Sequence, residues 1–219
     1  MMRILFHGAE SILYLEYWLG KLVLVKERYR KRYRLEEIDQ YIRRYRTINE
    51  AKNMIRARLL GVKVPIVYDV DVVNCKIRMQ YIEGITLKNL TDKEGLSDKV
   101  LNFYEIFGQY LGKLHLNGII HGDPTVTNIL IKDNTAYMID FGLSEYVLEY
   151  SVKNPRILEK IAIDVNIVLR VIESAYSQYK EQLFQAFLNG YLSIIDEKDV
   201  KIILNRVDKI RKMARYQVR

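Results

Sequence analysis

The stretch "IIHGDPTVTNILIKDNTAYMIDFG" (residues 119–142) sets an aspartate, an asparagine and a second aspartate around a short apolar hairpin. Asp123 and Asn128 are five residues apart, and Asn128 leads into the strand "ILI". "KDNT" then reverses the chain through Asp133 and Asn134, residue types that favour turns because their short side chains bond nearby backbone. The strand "AYMID" runs back to deliver Asp140, followed by Phe141 and Gly142. This register predicts that Asn128 and Asp140 meet at one end of the hairpin, with Asp123 in the loop just before it. Hard oxygen ligands at that end suit magnesium bound together with substrate phosphates. A carboxylate not committed to the metal is placed to orient or deprotonate a hydroxyl or water. Single Asp and Asn residues are most often turn and cap residues. Three at this spacing, with a glycine after Phe141, point to a site.

Phosphate chemistry also needs a cation. Lys26 ends the apolar strand "KLVLVK", so its ammonium is expected to emerge toward a cleft. Glu50, in the helical segment "RTINEAKNMI", is the anionic holder expected for it. The net charge of +8 and the sequence pI of about 9.3 favour polyanionic partners. The excess is concentrated in "KERYRKRYR" (26–34), "RRYR" (43–46) and "KIRKMARYQVR" (209–219). Tyrosines interleaved with the cations suit stacking on unpaired bases.

The rest of the chain gives the architecture. The runs "SILYLEYW" and "KLVLVK" with Gly20 between them predict a strand hairpin within residues 1–25. From Leu35 to Leu60, Ile38, Tyr41, Ile42, Tyr45, Ile48, Ile55 and Leu59 recur at helical spacing, and Gly61 stops the helix. "VKVPIVYDVDVVNCKIRMQYIEG" returns to strands. A helix follows from a Ser97 N-cap to Gly118, then the hairpin, then three helices near Glu159–Ser177, Lys180–Tyr191 and Glu197–Tyr216. The expected fold is α+β, a small β-rich N-lobe with one main helix (1–83) and a reduced, mostly helical C-lobe (84–219). No apolar run reaches the ~18 residues of a membrane span, and the N-terminus lacks the apolar run of a signal peptide. A single cysteine, Cys75, excludes an internal disulfide framework and suits a reducing cytoplasm. His7, His115 and His121 show no zinc spacing.

Strand lysine, helix glutamate, a D-x-x-x-x-N loop and D-F-G together resemble the protein-kinase superfamily, as a minimal bilobal member. The H-R-D of ordinary members is "HGD" here, and Thr125 stands two residues after Asp123 where a lysine is usual. No A-P-E follows D-F-G, 77 residues remain after Gly142, and "HGAES" carries one glycine in place of a glycine-rich flap. The platform for a peptide substrate is therefore expected to be trimmed. Over nearly the whole chain, "GAES", "VKERYRKRYRLEEID", "RTINEAK", "GVKVP", "YIEG", "LHLNGIIHGDPTVTN", "IDFGLS" and the basic tail resemble the PRPK family, the small atypical kinase of the KEOPS complex of archaea and eukaryotes. The chain departs from that pattern at Pro124, Thr125, Val126 and Thr127, at Gln80 in the hinge, and in the wording of the tail.

The resemblance implies a cytoplasmic, bilobal ATP-binding kinase or ATPase that serves formation of N6-threonylcarbamoyladenosine in tRNA. Its implied partners are the threonylcarbamoyl transferase subunit of KEOPS, a small regulatory subunit on the N-lobe, and tRNA through the basic clusters. It implies Asp123 as base or water-orienting residue, and Asn128 and Asp140 as magnesium holders. Lys26 would bind the phosphates and pair with Glu50. Gly8, Ala9, Glu10 and Ser11 would line the loop over the phosphates, and Met79, Gln80, Tyr81 and Ile82 the adenine hinge. Asp164, in "IAIDVNIVL", resembles the helix aspartate that braces the catalytic loop. Two other readings stand beside it. A small-molecule phosphotransferase of the aminoglycoside or choline type shares H-G-D-x-x-x-x-N, but Gly142 and the short tail count against it. A non-catalytic adaptor would bind ATP only to stabilise a complex on tRNA.

Overall fold

The computed structural model describes residues 3–216, and side chains as far as residue 213. Met1, Met2 and the last three residues of the basic stretch 209–219 lie outside the described residues. β1 (Arg3–His7), β2 (Ser11–Trp18), β3 (Lys21–Arg28), β4 (Val67–Asp71) and β5 (Lys76–Gln80) form an antiparallel sheet in the order β1-β2-β3-β5-β4. β2 and β3 are the two apolar runs, and Ser11 pairs with Arg28 and Leu13 with Lys26. β1 is an additional edge strand not expected from the sequence; every one of its residues is exposed, so burial imposes no alternation on it.

α1 (Glu36–Leu59) lies where helical spacing placed it, but its buried face is the opposite one. Ile38, Tyr41, Tyr45, Ile55 and Leu59 are exposed. Asp39, Thr47, Glu50, Ala51, Asn53, Met54 and Ala57 are buried. At 100° per residue these two sets fall on opposite sides of the helix. The polar members are buried because each has a partner. Asp39 accepts from Arg43 Nε at 2.6 Å, Thr47 Oγ1 donates to the Arg43 carbonyl at 2.8 Å, and Asn53 Nδ2 donates to Ser144 Oγ at 2.9 Å.

Beyond β5, residues 81–84 pair with no strand. β6 (Ile85–Thr86) then joins β8 (Ile129–Lys132) and β9 (Thr135–Met138) in a small sheet. Asp133 and Asn134 take positive φ of 47° and 58°, the two-residue turn their chemistry favours. α2 (Leu87–Glu94), absent from the sequence reading, is capped by Thr86 Oγ1 accepting from Asn89 N–H at 3.1 Å. α3 (Asp98–Leu116) begins at the expected Ser97 cap. β7 (Ile119–Ile120) pairs with β10 (Glu145–Tyr146), which brings the segment after Asp140 back onto the segment before Asp123. α4 (Pro155–Ala175), α5 (Lys180–Leu192) and α6 (Glu197–Tyr216) complete the chain. α4 starts four residues before the expected point because Asn154 caps it and Pro155 fits its first turn.

One apolar core runs from Met54, Ile77 and Met79 through Leu87 and Leu90 to Phe103, Phe107, Phe187 and Ile203. It joins sheet, α1 and helices into one scaffold. A separate small cluster, Tyr14, Val23 and Val25, covers the other face of the sheet. No helix among the described residues is long and apolar enough to cross a membrane.

Candidate active site

β3 and α1 present the first half of the site. Lys26 Nζ lies 2.8 Å from Glu50 Oε1 and 2.7 Å from Asp140 Oδ1, so one ammonium ties strand, helix and hairpin end together. Burial alone would lower the Lys26 pKa, but the charges of Glu50 and Asp140 outweigh it and hold the ammonium protonated. Burial would likewise raise Asp140. Lys26 and the Gly142 N–H, 3.1 Å from Oδ1, reverse that and keep its carboxyl below the usual range. Asp140 has a φ of +59°, in the left-handed region that non-glycine residues rarely adopt. Such strain persists where the surroundings over-determine it, as Lys26 and the Gly142 N–H do here.

The loop from His121 to Asn128 presents the second half. Asn128 Nδ2 donates to the Asp123 carbonyl at 2.9 Å and lies 3.1 Å from its Oδ2, which fixes that carboxylate. Ile139 N–H donates to the Asn128 carbonyl at 2.9 Å, which sets Asn128 beside the residue preceding Asp140. The predicted convergence is therefore present, but as two pairs, Asp123 with Asn128 and Asp140 with Lys26. Among the described residues Asn128 Oδ1 and Asp140 Oδ2 accept no hydrogen bond, so both stay available to a cation. The described residues contain no cluster of three or more His, Cys, Asp or Glu side chains that would cage a metal. Two protein oxygens with open positions match a magnesium ion that shares phosphates and waters.

The loop is held from beneath by Asp164, fully buried on α4. Its carboxylate accepts from His121 N–H at 2.8 Å and Gly122 N–H at 3.0 Å, and lies 3.1 Å from His115 Nε2. His115 Nδ1 in turn lies 2.8 Å from Tyr191 Oη. His121 packs on Phe141 at 4.8 Å, and burial lowers its pKa despite three surrounding aspartates, so the ring is neutral. Gly122 has a φ of +84°, and a Cβ there would meet the Leu143 carbonyl oxygen at 2.4 Å. Glycine at the usual arginine position thus lets the loop after Asp140 pack directly on the loop before Asp123. Ser144 Oγ donates to the Phe141 carbonyl at 2.6 Å and accepts from Asn53 of α1, a second link from helix to loop.

Gly8, Ala9, Glu10 and Ser11 form the β1–β2 turn, with Gly8 N–H donating to the Ser11 carbonyl at 2.9 Å. The Ser11–Arg28 register places that turn at the Lys26 end of the sheet. Tyr29 Oη lies 2.8 Å and 2.9 Å from the Gly8 and Ala9 carbonyls, Lys31 also reaches Ala9, and Arg46 pairs with Glu10. Met79 and Ile82 are buried, while Gln80 uses its N–H on the Ile66 carbonyl at 2.8 Å. Tyr81 and Ile82 lie in the unpaired segment 81–84.

The basic clusters are largely committed. Lys26 and Arg28 belong to the site, Arg30 pairs with Glu36, Arg34 and Arg43 with Asp39, and Arg211 with Glu173. Arg32, Lys209 and Lys212 are exposed without an ion pair among the described residues. Arg28 was missed in the sequence because "KER" reads as the start of a basic run. Its i,i+2 spacing from Lys26, which puts both on one strand face, was the usable signal.

These pieces form a protein-kinase-like site on a small two-part scaffold. The chain belongs to the RIO-domain family, whose model matches residues 21–184. A Rio2 kinase structure from Chaetomium thermophilum, solved as an ADP/Mg2+-phosphoaspartate complex, covers 96% of this chain and 70% of its own with a TM-score of 0.63 at 18% identity, which fixes the fold. The KEOPS complex subunit Bud32 of Pyrococcus abyssi is 37% identical over 226 residues, covering all of this chain and 98% of that protein, and places the chain in the Bud32 branch of the family. A protein named as the probable bifunctional tRNA threonylcarbamoyladenosine biosynthesis protein of Methanosarcina mazei is 43% identical over 216 residues. The match covers 98% of this chain but 36% of that protein, so the chain spans about a third of its length.

Proposed function

We propose that the chain is a magnesium- and ATP-dependent phosphotransferase or ATPase that supports N6-threonylcarbamoyladenosine formation on tRNA as a KEOPS subunit. The observation that carries the proposal is Lys26 held between Glu50 and Asp140, beside the Asp123–Asn128 pair. Residues 1–83 and 84–219 act as the two lobes, with the nucleotide between them. Lys26 takes the α- and β-phosphates, Met79, Gln80, Tyr81 and Ile82 offer backbone groups to adenine, and Gly8, Ala9, Glu10 and Ser11 cover the phosphates. Asn128 and Asp140 hold the metal, which when bound neutralises charge on the transferring phosphate. Asp123, oriented by Asn128, accepts the proton of the attacking hydroxyl or water.

Partners follow the names of the relatives, a KEOPS subunit and a tRNA-modifying protein. The exposed stripe Ile38, Tyr41, Tyr45, Ile55 and Leu59 on α1 supports a protein partner on the N-lobe. Arg32, Lys209 and Lys212 support tRNA contact. The test is ATP turnover with and without the transferase subunit and tRNA, scoring ADP and phosphoprotein separately. Asp140→Ala is expected to abolish turnover, and Asp123→Ala to lower it ~10²–10⁴-fold with ATP binding kept. Unchanged hydrolysis in both overturns the assignment. Equal tRNA modification by complexes carrying wild-type or Asp123→Ala protein assigns the chain an adaptor role instead.

A further inference from the structure

Asn53 follows Glu50 by three residues on α1, so it lies on the same side of the helix one turn further on, and it is fully buried. Its carboxamide is engaged at both ends. Arg56 Nη1, which can only donate, lies 3.0 Å from Asn53 Oδ1. That sets the NH2 group toward Ser144, and Nδ2 donates to Ser144 Oγ at 2.9 Å. The hydroxyl accepts this bond because its own proton goes to the Phe141 carbonyl at 2.6 Å. Ser144 N–H donates to the same carbonyl at 3.0 Å, which closes residues 141–144 into a turn directly after Asp140. The Arg56 guanidinium also lies over the Tyr146 ring, 3.9 Å from its centroid. Tyr146 belongs to β10 and pairs with Ile119 of β7, the strand that leads into the Asp123 loop. A chain of contacts thus runs from that strand pair through Arg56 and Asn53 to the turn behind Asp140.

The Lys26–Glu50 pair joins β3 and α1. Asp140 stands on the other part of the scaffold, and its own tie to Lys26 is made by a half-exposed side chain. The Asn53–Ser144 bond is buried, and among the described residues neither side chain bonds Lys26, Glu50 or Asp140. Phosphoryl transfer on a protein-kinase-like scaffold needs the lysine–glutamate pair and the metal-holding aspartate in place together, which ordinary members control by phosphorylating the loop after that aspartate. Here Gly122 stands where the arginine that receives such a phosphate is usual. Resting on the ATP site proposed above, we propose that Asn53 and Ser144 are positioning residues. Their bond holds α1, and with it the intact Lys26–Glu50 pair, against the Asp140 turn without any phosphorylation. Neither residue touches nucleotide.

The test compares the full 219-residue chain with Asn53→Asp, Ser144→Ala, Arg56→Met and the double variant Asn53→Asp/Ser144→Ala. Each is measured for thermal melting, for amide hydrogen exchange without nucleotide, and for ADP release with magnesium. Asn53→Asp keeps the size of the side chain and its contact with Arg56, but it has no proton to give Ser144. Asn53→Asp and Ser144→Ala are each expected to lower kcat about tenfold well below the melting range, with KM for ATP within about threefold of wild type. The double variant is expected within about threefold of either single variant, because both remove the same bond. Exchange should rise in α1 after Glu50 and in residues 141–146, and stay unchanged in α3 and α5. Arg56→Met, which frees the amide to turn over, is expected to lower kcat about threefold. If Asn53→Asp does not fold, Ser144→Ala and Arg56→Met supply the comparison. Wild-type kcat beside a lowered melting point, losses that multiply to about a hundredfold in the double variant, or a lowered kcat with unchanged exchange in α1 overturns the positioning role. Absence of ADP release by the wild-type chain overturns the ATP site itself, and with it this role.

Discussion

Asp164→Asn isolates the brace beneath the catalytic loop, because it keeps the shape of the side chain and removes its charge. The native carboxylate serves three donors. His121 N–H and His115 Nε2 share one oxygen at 2.8 Å and 3.1 Å, and Gly122 N–H takes the other at 3.0 Å. An amide has one acceptor oxygen. Set toward His121 and His115, it turns an NH2 group against the Gly122 N–H and leaves that donor unsatisfied, at a cost of about 1–3 kcal/mol. The two remaining bonds fall from charge-assisted to neutral, each losing up to about 1 kcal/mol. With partial relaxation the loss is about 2–4 kcal/mol, a melting shift of roughly 5–15 °C at this chain length. Asp164 lies below the loop and touches neither Lys26 nor Asp140, so its loss moves Asp123 without removing a nucleotide contact. Turnover well below the melting range should fall about ten- to hundredfold with KM for ATP nearly unchanged. Thermal melting by circular dichroism and steady-state ADP release check both numbers. A melting point within about 2 °C of wild type refutes the brace, and a lowered melting point with unchanged kcat refutes its coupling to Asp123.

Tyr191→Phe removes only the hydroxyl at His115 Nδ1, so it should cost about 1 kcal/mol in thermal denaturation and leave kcat unaltered. Gly122→Ala places a methyl 2.4 Å from the Leu143 carbonyl oxygen at a φ of +84°; ADP release should fall at least about tenfold, and wild-type turnover would show that the close approach is dispensable. Gly190→Ala drives a Cβ to 1.8 Å from the Glu105 carbonyl oxygen where α5 crosses α3, and is expected to cost at least about 3 kcal/mol in urea unfolding. Glu173, which pairs with Lys180 and Arg211, has its pKa lowered because those cations outweigh its burial. A carboxylate depressed in the folded state stabilises above its unfolded pKa and loses that contribution as pH falls through the folded value. Glu173→Gln should therefore lower the melting temperature by about 2–4 °C at pH 7, and the difference should shrink as pH falls below the ordinary glutamate value of 4.5 and through the lowered folded one.

Elements with strong local signals were legible in the sequence. The β2–β3 hairpin, α1, α3, α5, α6 and the turn at Asp133–Asn134 all lie where spacing and turn chemistry put them. β1 and α2 were not legible, since an edge strand exposed along its length and an eight-residue helix give too little periodicity to read. The instructive difference is α1. Its apolar spacing identified the helix and pointed to the wrong side, because the protein buries the polar side instead. Hydrophobic periodicity reports a face only when burial follows hydrophobicity. On α1, burial follows ion and hydrogen-bond partners supplied by β3, the β3–α1 segment, α1 itself and the Asp140 loop. Glu50 was still found, because strand lysine and helix glutamate were sought as a chemical pair, whereas Asp39 and Asn53 had no motif to mark them.

The basic composition changes meaning in the same way. Read along the chain, "KERYRKRYR" is a polyanion-binding run, and in space most of it is internal wiring. Lys26 and Arg28 reach Glu50, Tyr29 and Lys31 hold the Gly8–Ala9 carbonyls, and Arg34 reaches Asp39. The run from Lys26 to Arg34 thus touches the turn above the site, the helix beside it and, through Lys26, the Asp140 loop. Protein-kinase-like scaffolds need the strand lysine and helix glutamate brought together before phosphates are engaged. Here cations within a few residues of the strand lysine do that without an arginine in the catalytic loop to receive a phosphate. Replacing Lys31 or Arg34, whose cations are committed within the fold, should therefore change ATP turnover before it changes tRNA affinity, whereas replacing the exposed Arg32 should do the reverse.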